Sequence, residues 1–342
     1  MREPGVSPAI FRLGMSSPLL EVNELRVEFP LRGGFWSRER VQAVDQVSLR
    51  VAAGETVGLV GESGSGKSTL ARAIARLVPA AAGRVRLRGM DLLQLPPVEL
   101  RQARRHVQMV FQDPLASLNP RMTVGDALQE PLKIFQPDMP AAERLATVAA
   151  MLERVGLPGA VAGRYPREFS GGQCQRIGIA RAMILQPALL ICDEPVSSLD
   201  VSIQGQIVNL LLDMQRDTGT AMIFIGHNLG IVRHVSHRVY VMYRGRIVEQ
   251  ARSEELFAQP RHPYTRALIA SIPRIPPAPQ VTEPATPQPA VAFEPTSSLA
   301  ASRSCAFRHR CPHVRDGCAA TAPALVPVAE DHWVACLRSG EI

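Results

Sequence analysis

Nine consecutive residues, Gly61-Glu62-Ser63-Gly64-Ser65-Gly66-Lys67-Ser68-Thr69, have the types and spacing to hold a polyphosphate. They fit G-x-x-x-x-G-K-[ST], in which glycines let successive backbone N–H groups turn toward one anion. Lys67 brings a point charge to the β- and γ-phosphates, and the Ser68 hydroxyl is a ligand for Mg²⁺. Contacts to a nucleotide are expected from Gly61, Ser63, Gly64, Ser65, Gly66, Lys67, Ser68 and Thr69. Such a loop works only between a strand and a helix. Thr56–Val60 reads as a short buried strand and Leu70 to Leu77 as a helix, whose N-terminus adds partial positive charge.

A second group of residues supplies what hydrolysis of a bound nucleotide requires. The apolar run Ala188–Cys192 delivers Asp193 and Glu194 at its end. Asp193 is expected to hold Mg²⁺ through water and Glu194 to polarise the attacking water. A helix-capping acidic pair is the plain alternative, and the glycine loop upstream weighs against it. His227 follows the strand Ala221–Ile225, within reach of a γ-phosphate, and Gln112 follows Val107–Phe111, where it suits Mg²⁺ or water. Alone, either would read as a structural histidine or a turn residue. Ser170-Gly171-Gly172-Gln173 opens a helix running to about Leu185 and offers its N–H groups to an anion. That anion is not the phosphate held by Lys67, whose helix terminus is already committed; a second subunit's nucleotide resolves the conflict. Phe29 is the first choice for stacking on a purine, ahead of Phe35 and Trp36, and reads equally as core.

The remaining elements must position these groups. Strands over Leu19–Phe29 and Val41–Val51 precede the loop, a strand from Gly83 to Leu87 and a turn at Met90–Leu93 follow it, and Thr123–Gly156 has helical spacing. A helix over Val201–Arg216 and a hairpin turning at Arg244-Gly245 complete the pattern. Alternating strands and helices indicate an α/β sheet with a helical block inserted at about 115–185. Within the 342 residues, 46% are hydrophobic, enough for a sizeable core, and the net charge of +7 reflects arginine spread through the chain rather than a basic run. No apolar run reaches the ~18 residues of a membrane span, and Met1–Leu20 lacks the apolar core of a secretory signal. The expected organisation is an extension over 1–18, in which Met15 is an alternative start, an ATP-binding domain over 19–270, a linker over 271–300 and a cysteine-rich tail over 301–342. Eight of the 23 residues from Pro273 to Pro295 are proline, which makes the linker extended.

Together these motifs resemble the ATP-binding subunit of an ABC transporter. The likeness spans about 20 to 270 and rests on Gly61–Thr69, Gln112, Ser170–Gln173, Asp193-Glu194, Ser198-Leu199-Asp200 and His227, in that order. It implies an α/β P-loop NTPase fold: an ABC nucleotide-binding domain with a mixed sheet core, an inserted helical subdomain and a small cysteine-rich C-terminal extension. It further implies a head-to-tail dimer in which each ATP lies between one subunit's glycine loop and the other's Ser-Gly-Gly-Gln, with Asp200 near the joint. Phe169, Ser198 and Gly226-His227-Asn228 depart from the usual pattern without removing a catalytic group. The stretch Met109–Met122, then Asp200–Gln204 and His262–Thr265, narrows the likeness to the oligopeptide/dipeptide permease ATPases, and within them to the second of two non-identical subunits. That implies a partner ATPase in a heterodimer, two transmembrane permease subunits, an extracytoplasmic solute-binding protein, and a peripheral place on the cytoplasmic face of the bacterial inner membrane. Peptides are the expected cargo, with nickel or another small solute as the alternative. Asp113 to about Pro131 is expected to face the permease subunits. A soluble ABC ATPase acting on nucleic acid or ribosomes is the rival reading; one cassette without a coiled-coil insertion disfavours it, and no nucleic-acid partner is expected.

Cys305, Cys311, Cys318 and Cys336 crowd four of six cysteines into 32 residues with gaps of five, six and seventeen. A disulfide framework does not suit a reducing compartment. Zinc is open because His309, His313 and His332 lie among them, although close C-x-x-C pairs are absent, and four thiolates equally suit an iron–sulfur cluster. The resemblance implies a [4Fe–4S] cluster, with Zn²⁺ as the alternative, remote from the ATP. Cys174 and Cys192 are expected to be packing residues.

Overall fold

The computed structural model describes residues 18–30, 40–271 and 304–341. Nearly all of the expected N-terminal extension and proline-rich linker, with Phe35 and Trp36, lies outside the described residues.

In chain order the elements are β1 (Leu20–Pro30), β2 (Arg40–Val51), β3 (Thr56–Val60), α1 (Lys67–Ile74), β4 (Ala82–Leu87), β5 (Met90–Asp91), α2 (Pro97–Ala103) and β6 (Val107–Val110). A helical block follows, α3 (Val124–Phe135), α4 (Ala141–Arg154) and α5 (Gly171–Met183). The chain then runs through β7 (Leu189–Asp193), α6 (Val201–Thr218), β8 (Ala221–Ile225), α7 (Leu229–Val235), β9 (Arg238–Tyr243), β10 (Arg246–Arg252), α8 (Ser253–Ala258) and α9 (Pro263–Ala270). The cysteine-rich segment contributes α10 (Asp316–Ala320), β11 (Val326–Ala329) and β12 (His332–Val334).

Two sheets form. The larger has the order β11-β12-β10-β9-β3-β8-β7-β6, and its β9-β3-β8-β7-β6 part is parallel. The smaller, β2-β1-β4-β5, is antiparallel. Strands β3, β7 and β8 are buried along their whole length, because both faces of the parallel sheet are covered. On one face Leu59, Ile191 and Ile223 meet Leu70 and Ile74 of α1 and Leu20, Val22 and Val85 of the small sheet. On the other, Leu190, Cys192 and Phe224 meet Leu128, Leu152 and Ile177 of the helical block.

The helical spacing over Thr123–Gly156 resolves into two helices, because Pro137 and Pro140 cannot continue the first. Thr123 caps α3 by accepting from the Asp126 N–H. Cys174 and Cys192 are buried packing residues, as expected.

The cysteine-rich segment, read from the sequence as a C-terminal extension, is built onto the main sheet. Strand β12 pairs with β10, Glu249 opposite Val334 and Gln250 opposite Trp333, so the segment continues the main sheet. Its anchor is His332, fully buried, whose Nε2 lies 2.7 Å from Glu249 Oε1 and whose Nδ1 lies 3.2 Å from Glu255 Oε1. Burial by itself pushes this imidazole down, but the bonds and charges of Glu249 and Glu255 outweigh it and hold it above its ordinary value. Burial likewise opposes ionisation of Glu249, yet its bonds from His332 and from the N–H groups of Arg261 and His262 keep the carboxyl below the usual range.

A histidine raised in the folded state contributes docking that is complete below its unfolded value of 6.5 and is lost as pH rises through the folded value. Glu249 adds a contribution lost only as pH falls through its depressed value, below 4.5. Amide exchange in β12, corrected for its intrinsic pH dependence, should therefore lose protection as pH rises above about 6.5, and His332→Asn should flatten that response. Protection that rises with pH would contradict the assignment.

Candidate active site

The glycine loop is shaped by close approach. Gly61 has φ +152°, and a Cβ there would lie 2.1 Å from the Met242 carbonyl oxygen of β9. At Gly66, φ +104°, a Cβ would lie 2.3 Å from the Ala43 carbonyl oxygen of β2. The tip of the β9–β10 hairpin braces the loop, the Gly245 N–H donating to the Ser65 carbonyl at 2.8 Å. Among the described residues no hydrogen bond takes the N–H of Ser63, Gly64 or Gly66. These donors, with the first N–H groups of α1 at Lys67, Ser68 and Thr69, form an anion cradle.

Lys67 is only 5% exposed. Its Nζ donates to the carbonyls of Gly61 (2.8 Å) and Glu62 (2.9 Å). Burial pushes this ammonium down, opposed by the charges of Glu194, Asp193 and Glu62. Asp193, 1% exposed at the end of β7, accepts from Ser68 Oγ at 2.7 Å. Burial pushes its carboxyl up, against the Ser68 bond and the Arg72 guanidinium 3.8 Å away. Its Oδ2 is buried with no hydrogen-bond partner. A hydroxyl touching one carboxylate oxygen while the other accepts no hydrogen bond fits a Mg²⁺ site, so Ser68 and Asp193 are the residues that would hold the ion. Bound there, the ion would supply charge against the phosphate oxygens.

Three parallel strands end at the acid. Gln112 follows β6, Glu194 follows β7 and His227 follows β8, and these strands are neighbours in register, Val110 opposite Cys192 and Asp193 opposite Ile225. Gln112 Nε2 donates to Glu194 Oε2 at 3.3 Å, and His227 Nδ1 lies 3.3 Å from the same oxygen. Glu194 has φ +48°, a left-handed conformation that costs a non-glycine residue about 1–3 kcal/mol. The strain turns its side chain out of the strand while Asp193 stays inside. The sequence-predicted loop, magnesium and hydrolytic residues are thus brought together.

Ser170-Gly171-Gly172-Gln173 is not. Ser170 caps α5, its hydroxyl accepting from the Gln173 N–H and the Gln173 side chain from the Ser170 N–H. Ser170, Gly171 and Gln173 are exposed, and no hydrogen bond among the described residues links them to the glycine loop. A Cβ at Gly172 would press on Ile203 of α6 at 2.9 Å. Asp200, exposed, stands just before α6. Phe29 is 40% exposed on β1 opposite Val41.

Residues 44–197 match the ABC transporter family model, and residues 248–318 match that of the oligopeptide/dipeptide transporter C-terminal region. The oligopeptide transport ATP-binding protein OppF of Escherichia coli K12 is 50% identical over 324 residues, 94% of this chain and 96% of that protein. This chain belongs to the ABC transporter ATP-binding proteins of the oligopeptide-transport family. A probable peptide ABC transporter ATP-binding protein of Sinorhizobium fredii, y4tS, is 48% identical over 94% of this chain and 90% of its own length. Among solved structures, the dimeric post-hydrolysis state of the cassette MJ0796 bound to ADP and Pi superposes with a TM-score of 0.62 at 26% identity, covering 68% of this chain and 98% of that one. The cassette cbiO1 of Clostridium perfringens, part of the cbiONQ complex, gives 0.61 at 26% identity, covering 71% and 92%.

The ATPase keeps its local structure where it departs from the family pattern. Asn228 caps α7, accepting from the N–H groups of Gly230 (3.0 Å) and Ile231 (3.3 Å), a task an aspartate would perform equally. Sequence reasoning missed Tyr264 and Arg310, which reach the second loop residue, Glu62. The Glu62 N–H donates to Tyr264 Oη at 2.8 Å, and Arg310 grips the Glu62 carboxylate. The cysteine segment is therefore not remote from the nucleotide site. His262–Thr265 stood out in the sequence, but nothing there tied it to a loop 202 residues away.

In the assembled complex Glu194→Gln should keep ATP affinity and lower turnover by about 10²–10⁴, since it preserves shape and removes the carboxylate expected to act as base. Turnover near wild type would contradict the role of Glu194.

Proposed function

We propose that this ATPase powers the import of oligopeptides. It hydrolyses ATP at the site built by Lys67, Ser68, Asp193 and Glu194, with Gln112 and His227 on the acid, and Phe29 stacking on the base. The observation that carries the reading is a complete hydrolytic half-site on a chain whose Ser170–Gln173 helix terminus faces outward. A second, non-identical ATPase would bring its own signature to this ATP and receive the one offered here; Asp200 would lie at that joint.

A groove of about 250 Å³ supports docking of the transmembrane permease subunits. It lies beside β6 and the helical block and is lined by Phe111, Ser117, Glu130, Pro131, Gln175 and Arg181, overlapping the segment from Asp113 to about Pro131. Gln175 is buried there with its amide nitrogen unpartnered, a donor that a docked backbone would satisfy. No helix among the described residues is long and apolar enough to cross a membrane, so attachment to the cytoplasmic face of the inner membrane would come through these subunits. An extracytoplasmic binding protein would deliver the peptide.

The four cysteines would hold a structural [4Fe–4S] cluster. Cys305, Cys311, Cys318 and Cys336 line one cavity. Burial pushes the thiols of Cys305 and Cys336 up, so a bound cation is what would keep them as thiolates. Among the described residues no three ligating side chains are close enough to grip a single ion.

Anaerobic purification of the whole complex tests both parts. Reconstituted in vesicles, it should accumulate oligopeptide only with ATP on the side of this chain, and uptake of nickel or another solute in place of peptide would refute the cargo. The protein should be brown, with iron and sulfide in equal amounts. Zinc in place of iron would refute the cluster, and a folded metal-free tail would refute any metal there.

A further inference from the structure

Arg310 immediately precedes Cys311, and Glu62 is the second residue of the glycine loop, 248 residues away. Arg310 Nη1 and Nη2 donate to Glu62 Oε2 and Oε1 at 2.8 and 2.9 Å, a two-pronged grip on one carboxylate. The Glu62 backbone is held as well. Its N–H donates to Tyr264 Oη at 2.8 Å, and its carbonyl accepts from Lys67 Nζ at 2.9 Å and from the Ser65 N–H at 3.1 Å. Tyr264 is itself buried, its ring 4.6 Å from that of Tyr243 and 5.5 Å from that of Phe307. The Arg310 guanidinium lies 5.8 Å from the centre of the Phe307 ring. The short stretch between Cys305 and Cys311 thus carries both the ring that packs against the end of β9 and the cation that grips the loop.

The charge balance gives this contact a consequence. Glu62 is one of the carboxylates whose charge acts on Lys67. Paired with Arg310, it presents little net charge to an incoming triphosphate. Unpaired, it would compete with the phosphates for the Lys67 ammonium and repel them directly.

We infer that Arg310 is a positioning residue of the nucleotide site, which acts through Glu62 by neutralising its charge beside the glycine loop, so that the cysteine-bearing segment sets how tightly the ATPase binds ATP. The inference rests on the ATP-binding role of the glycine loop and is independent of which metal the cysteines hold.

The test is steady-state ATP hydrolysis by the assembled complex. Arg310→Gln, which keeps the side-chain stem over Phe307, should raise KM for ATP roughly three- to tenfold with kcat changed less than about twofold. Arg310→Lys keeps the charge but not the fork and should fall between that variant and wild type. Adding Glu62→Gln to Arg310→Gln should recover most of the loss. A structural brace would not give that recovery. An unchanged KM in Arg310→Gln, a loss confined to kcat, or a raised KM that the double variant fails to recover would each overturn the inference.

Discussion

The structure turns on one competing demand: the N–H groups of the glycine loop must stay unpaired toward the nucleotide, while the backbone carrying them must not collapse onto itself. Unpaired backbone donors are costly unless solvent or a ligand takes them, so the loop has to be held from behind. The Met242 and Ala43 carbonyls press on Gly61 and Gly66 at distances that admit no side chain, and Gly245 ties the Ser65 carbonyl outward. Tyr264 and Arg310 fasten Glu62. Strands β2, β9 and β10, helix α9 and the cysteine segment all contribute to that support, and their placement around the loop is what the two-sheet fold accomplishes.

The same fold solves the problem of bringing an acid, an amide and an imidazole to one point. Parallel neighbouring strands end on the same side of a sheet, so residues just beyond β6, β7 and β8 meet without long loops. The alternation of a strand separates the two carboxylates, one kept inside against Ser68 and the other turned out by its left-handed backbone. Buried charges of both signs, Lys67 with its ionisation opposed by burial and Asp193 with one oxygen that accepts no hydrogen bond, are the groups that phosphates and a cation would balance.

Much of this was legible in the residues. Local motifs named the loop, the acids, Gln112, His227 and the capped start of α5, because each depends on backbone geometry that a few adjacent residues dictate. The strands β3, β7 and β8 were plain from unbroken apolar runs. The break between α3 and α4 was overlooked because helical spacing persists across Pro137 and Pro140. What could not be read was the docking of the cysteine segment. Its bonds join residues 248 positions apart, and neither Glu62 nor Arg310 belongs to a pattern that announces a partner. His332 looked like a metal ligand among cysteines and is instead a buried bridge to Glu249 and Glu255.

The arrangement proposed above gives this chain half of each ATP site, the loop of one and the signature of the other. The most direct measurement is disulfide crosslinking in the assembled complex between Gly171→Cys of this chain and a cysteine placed in the partner ATPase's glycine loop, with and without ATP. The account predicts a crosslink between the two subunits that forms with ATP and is lost without it. A crosslink that joins residue 171 only to a cysteine in this chain's own glycine loop would contradict it.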